Sequence, residues 1–168
     1  YMFVHADFLH VLFNVLYLFW FGRLFLDFMK PSQLLGVYIY GGLGGALLYL
    51  ITFNFVPALI IFAPSSILLG ASASAIAILF AVATFAPNQT VHLLFFGAVR
   101  LKYIALIALL IDLVSMTTLK NTGGHLSHLG GAAVGYLYAL SLTKGTDWAK
   151  PFAANIFKKG NLFKKKGK

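Results

Sequence analysis

Five long runs of mostly apolar residues follow one another between positions 8 and 142. Each approaches the roughly 20 residues that an α-helix needs to cross the hydrocarbon core of a bilayer. Backbone amides find no water there, so such runs are expected to form helices that pack on one another. The spans are expected at about 8–25, 34–53, 67–86, 101–116 and 124–142. Composition closes off the soluble alternative. Of the 168 residues, 60% are hydrophobic and 10% charged, against about 45–50% and about 25% in a soluble domain. The expected fold class is an all-α, polytopic membrane bundle with five transmembrane helices.

The basic residues orient that bundle. Arg23, Lys30, Arg100, Lys102 and every lysine from Lys144 onward fall on one side, and only Lys120 falls on the other. By the positive-inside rule the C-terminus is cytoplasmic, as in a bacterial inner (plasma) membrane. The net charge of +9 therefore sets topology and does not call for a nucleic-acid partner. Five spans then place Tyr1 on the outer side, and parity leads us to expect a further helix upstream. Segment 54–66, broken by Pro57 and Pro64, is expected as an outer loop in or dipping into the membrane. Segment 87–100 is expected as an interfacial inner loop. From Thr143 the chain interleaves Trp148, Phe152, Phe157 and Phe163 with lysines, a pattern suited to an anionic leaflet. Two parts result: a membrane domain over 1–143 and a basic cytoplasmic tail over 144–168. Cysteine is absent, which excludes disulfides and thiolate metal sites.

Polar residues gather at one depth. The first, third and fifth spans all start at the outer face. His10 and Asn14 lie in the first turns of the first, Ser72 and Ser74 near the start of the third, and His125 and His128 in the first turns of the fifth. A lone intramembrane serine usually bonds its own helix, and a lone histidine or asparagine a neighbouring one. Three helices delivering them to one layer point instead to a site. The chemistry available is nucleophilic acyl transfer: a serine hydroxyl, an imidazole to take its proton, and donors for the oxyanion. His10 and Asn14, four apart, share a helix face. His10, His125 and His128 could form a three-imidazole metal set, but only Asp7 among the acids falls near in sequence, so neither a metal nor any other cofactor is expected. Small residues at Ala71, Ala73, Ala75 and Ala77, and the Gly131/Gly135 spacing, allow the third and fifth helices to approach closely. Asp112, alone in the fourth span, is expected to pair with a neighbouring helix.

These motifs resemble those of the rhomboid intramembrane serine proteases. His10-Val-Leu-Phe-Asn14 is similar to the family's H-x-x-x-N, with His5 at a preceding position where members often carry a further histidine. Gly70-Ala-Ser72 resembles the G-x-S nucleophile motif, and His128-Leu-Gly-Gly131 the motif bearing the catalytic histidine. The three occur in the family's order over about residues 1–142. The resemblance implies Ser72 as nucleophile and His128 as base, a dyad without a third acid. It further implies His10, Asn14 and the Ser72 backbone N–H as the oxyanion hole, with Gly70 turning the chain into the helix and the first of six core helices lacking. Ala73 stands where a glycine is common, Ile76 stands where some members place an aromatic under the histidine ring, and His125 adds a second imidazole. Ser74, about 200° around the helix from Ser72, is expected to pack elsewhere.

The implied activity is hydrolysis of peptide bonds near the outer end of a transmembrane segment, with membrane-protein substrates and lipid as partners. Two other readings fit the same residues: a rhomboid-like pseudoprotease or membrane chaperone, and a small transporter using the outer histidines. No pairing of broken-helix repeats supports the transporter.

Overall fold

The computed structural model describes residues 1–60, 66–116 and 121–156. Helix α1 spans Phe8–Leu26 and is capped by Asp7, whose Oδ1 accepts from the His10 N–H at 2.8 Å; the cap fixes where the His10 turn begins. Helix α2 spans Pro31–Phe55, entered by a proline whose missing N–H costs nothing at a helix start. Pro57 ends it and opens the single turn α3 (Pro57–Ile60). Helix α4 spans Ser72–Phe85, α5 Leu101–Met116, α6 Thr122–Thr143 and α7 Lys150–Ile156.

Segment 87–100, expected as an interfacial loop, carries an antiparallel hairpin. Strands β1 (Thr90–Leu93) and β2 (Gly97–Arg100) pair from Thr90↔Arg100 to Leu93↔Gly97. Its tip exposes Leu94, Phe95 and Phe96.

Helix α4 is the centre of the bundle. Almost every residue from Ala73 to Ala83 is buried, whereas α1 buries only Asn14, Gly22 and Phe25, and α5 only Leu101, Ala105 and Asp112. The outer helices turn Phe13, Phe19, Trp20, Leu106, Ile107 and Ile111 outward. This is the inside-out surface expected of helices that face lipid.

Glycines make the centre possible. A Cβ on Gly131 or Gly135 of α6 would run into the carbonyl oxygens of Ala73 and Ala77 on α4, and one on Gly41 of α2 into the Ala77 methyl. On the α2–α6 side, a Cβ on Gly45 would lie 2.7 Å from the Ser127 carbonyl oxygen. The backbone of α6 therefore touches those of α4 and α2 without side chains between them, and only alanine methyls separate α2 from α4.

Five long helices fall on the five expected stretches, but five membrane crossings do not follow from their lengths. The third, expected within 67–86, starts at Ser72, where Gly70 with φ +100° breaks the path just ahead of the helix. Among the described residues, α1 and α2 alone are long and apolar enough by length and composition to cross a membrane. Helix α4, with 14 residues, rises about 21 Å, short of the roughly 30 Å hydrocarbon core. Helix α5 has 16 residues, and α6, with 22, is diluted by glycine, serine and histidine.

The start of the basic tail docks on the bundle. Asp147 accepts from the Tyr138 hydroxyl (2.9 Å), the Ala149 N–H (2.8 Å) and the Gln33 side-chain amide (3.0 Å), and Ala149 packs where Gly36 leaves room. Phe157, Phe163 and the lysines from Lys158 onward lie outside the described residues, as do Pro64 and Lys120.

This packing makes a contrast between glycines. Gly131→Ala forces a methyl into the Ala73 carbonyl and is expected to cost about 2 kcal/mol or more. Gly22→Ala meets nothing closer than 3.9 Å and is expected to be neutral or stabilising by up to about 1 kcal/mol through helix propensity. Thermal unfolding of both variants in detergent measures the difference.

Candidate active site

The site forms where α4 begins. The N-terminal segment fixes the backbone just ahead of it: the Gly70 N–H donates to the carbonyls of Val4 (2.8 Å) and Tyr1 (3.3 Å), and the Ala71 N–H reaches His5 Nε2 at 3.4 Å. Ala71 caps α4 with no side-chain acceptor. The first-turn N–H groups, that of Ser72 included, thus point out of the helix end with its partial positive charge.

His10 and Asn14 come from α1. The Ala6 N–H donates to His10 Nδ1 at 3.3 Å, which leaves the ring hydrogen on Nε2. That nitrogen sits where a Gly70 side chain would be, 2.6 Å from the position of a Cβ. Gly70 is therefore required twice, for its φ and for the space taken by His10. Asn14 is buried and donates one amide hydrogen to the His10 carbonyl at 2.8 Å, so its second amide hydrogen is not spent on the helix. The ring of His5 meets that of His10 edge-on at 5.1 Å.

His125 and His128 come from the first turns of α6, which opens at Asn121 in the left-handed region (φ 54°). Both rings turn Nδ1 toward α5, and Asp112 Oδ1 lies 2.8 Å from each. Asp112 is 6% exposed, the one buried charged side chain among the described residues. The expected pairing with a neighbouring helix is thus met, and both partners are site histidines. Its sequence signal was a lone acid in an apolar span; nothing in the spacing told which residues it would meet. The converging metal-type donors among the described residues are Asp112, His125 and His128, within 4.8 Å of one another, and His10 is not among them.

Two cavities flank the serine. One, of about 480 Å³, is lined by His10, Asn14, Ser72, Asn121 and His128; the other, of about 180 Å³, by Phe13, Asn14, Tyr17, Ser72, Ile76 and His128. Asn14, Ser72 and His128 belong to both, so they form the wall between a more polar chamber and an apolar slot. Ser72 Oγ makes no hydrogen bond to His128, an open geometry common in catalytic pairs without substrate. Ser74 is fully buried on the far side, its Oγ against Gly42 of α2, and it lines neither cavity. Ile76 faces the apolar slot, and the His128 ring is braced instead by Asp112 and by the His125 ring, perpendicular at 5.9 Å.

Comparison with known proteins agrees with this arrangement. The family model described as the Rhomboid domain matches residues 1–145. The chain is 30% identical over 151 residues to RHOMBOID-like protein 12, mitochondrial, of Arabidopsis thaliana, covering 85% of this chain and 45% of that protein. The chain thus spans about half the length of this relative. No solved structure matches the chain. With the matched region containing α1 to α6 and every residue of the site, this membrane-embedded helical protein belongs to the rhomboid family.

Proposed function

We propose that this chain is the protease domain of an intramembrane serine endopeptidase, with Ser72 as nucleophile and His128 as general base. The observation that carries the reading is the meeting of Ser72, His128 and Asn14 in one wall shared by a polar chamber and an apolar slot. A protease in a membrane needs water on one side of its nucleophile and an apolar substrate segment on the other. The Ser72 Oγ attacks the scissile carbonyl carbon, its proton passing to His128 Nε2 and the carbonyl π pair moving to oxygen. The C–N bond then breaks and the departing amine takes that proton. Water hydrolyses the resulting ester by the same route reversed, and Ser72 recovers its hydrogen. His10 Nε2–H, the free Asn14 amide hydrogen and the Ser72 N–H serve as oxyanion donors. His5 and Gly70 hold the turn that aims them.

The same reading places all five long helices across the membrane, with α4 sheltered by its neighbours. The C-terminus lies on the lysine-rich side, cytoplasmic in a bacterial plasma membrane, and residues 144–168 form a tail to the domain over 1–143. Substrates are transmembrane segments that unwind near the outer face, because helical backbone is closed to attack. The competing reading is a non-cleaving rhomboid-like protein, which membership of the family accommodates equally.

Serine-directed fluorophosphonate labelling of the full-length protein separates the two. Labelling is expected on the wild type and on Ser74→Ala, with none on Ser72→Ala; an unlabelled wild type, or label that survives Ser72→Ala, would sink the protease assignment. Gly70→Ala, which strains the backbone and displaces His10, is expected to slow labelling by about a hundredfold or more.

A further inference from the structure

Asp112 is an expensive residue to keep. A carboxylate at the centre of a helix in lipid costs about 2.5–3.5 kcal/mol on insertion scales, and one about a turn from the helix end, as Asp112 is in α5, still calls for a specific partner. The structure supplies two, and one of them is the candidate base. An ionised carboxylate only accepts, so both Nδ1 atoms at 2.8 Å carry hydrogen. A neutral imidazole with hydrogen on Nδ1 has its lone pair on Nε2, the nitrogen left free to face the serine.

We propose that Asp112 is a positioning residue for His128, its carboxylate selecting the Nδ1–H tautomer and holding the ring so that Nε2 accepts the Ser72 proton. The proposal rests on the protease reading of Ser72 and His128. Asp112 stays ionised throughout. When the Ser72 proton moves to His128 Nε2, the imidazolium keeps its Nδ1–H on Asp112, and the proton later leaves from Nε2 to the amine of the product. The carboxylate offsets the transient positive charge in a setting with little water. His125 shares Oδ1 and braces the ring edge-on at 5.9 Å, filling the supporting role that Ile76 does not. A purely structural clasp between α5 and α6 has a different signature: it alters stability and leaves the rate of the folded enzyme alone.

The test uses the full-length protein in liposomes, cleaving a single-pass membrane substrate, with fluorophosphonate labelling in parallel. Asp112→Asn is expected to lower kcat by about a hundredfold to ten-thousandfold, with KM within about threefold of the wild type. Nitrogen-15 spectra of the histidines should show His128 shifting from the Nδ1–H form to a mixture of tautomers. His125→Gln, which removes the edge-on ring but leaves the Asp112–His128 bond in place, is expected to lower kcat by less than Asp112→Asn does, and an equal or larger loss overturns the assignment to Asp112. Wild-type labelling at Ser72 with an equal rate in Asp112→Asn overturns this proposal and leaves the protease reading standing. No labelling or cleavage by the wild type removes the protease reading, and this proposal with it. Should Asp112→Asn not fold, Asp112→Ala is assayed with added formate. A formate-dependent recovery of rate supports the proposal, and a flat response overturns it.

Discussion

The bundle depends on backbone-to-backbone contact between α4 and α6. Gly131 and Gly135 lie on the carbonyls of Ala73 and Ala77, so the two helices are as close as helices can come. Lipid offers no hydrophobic drive for helices to associate, and close dispersion contact takes its place. The same contact sets the site. His128 lies three residues before Gly131 and Ser72 one residue before Ala73, so the seam that joins the helices also brings the imidazole and the hydroxyl to the same cavity wall. Any side chain inserted there moves both.

Around that seam the polar groups are arranged by need. Each flanking helix buries a single side chain in the half that carries the site, Asn14 on α1 and Asp112 on α5. Their other faces are apolar and exposed. On the proposed reading, His10 and His128 hold opposite tautomers. An N–H from Ala6 onto Nδ1 leaves hydrogen on His10 Nε2, whereas a carboxylate against Nδ1 leaves a lone pair on His128 Nε2. One ring is thereby made a donor and the other an acceptor at the same depth, the division of labour that acyl transfer needs.

Much of this was legible in the sequence because membrane helices announce themselves by apolar length and site residues by their rarity within it. The helices α1, α2, α5 and α6 begin and end within a few residues of expectation, and His10, Asn14, Ser72 and His128 converge as their depths imply. Ser74 packs away from the cavities, as its angle on the helix requires. The start of α4 was less legible, since residues 67–71 are as apolar as the helix they precede and only the φ of Gly70 ends them. The hairpin over Thr90–Arg100 was hidden by a stretch too short for a period to emerge. Asp112 was visible as an anomaly, but its bond to two histidines depends on how α5 leans on α6, which no local pattern encodes. Docking of Asp147 and Ala149 on α2 was likewise a tertiary contact between residues more than 100 positions apart.

Because α4 is enclosed by protein over nearly its whole length, it has almost no boundary with lipid. Hydrophobic mismatch acts on helices that meet acyl chains, tilting them or deforming the bilayer around them. Here that load falls on α1, α2 and α5, whose apolar faces are exposed. Ser72 is referenced to Ala73–Gly131 and to the Gly70 turn. The position of the serine is thus set by the protein's own frame, and a change in membrane thickness would reach it only through the helices that surround α4.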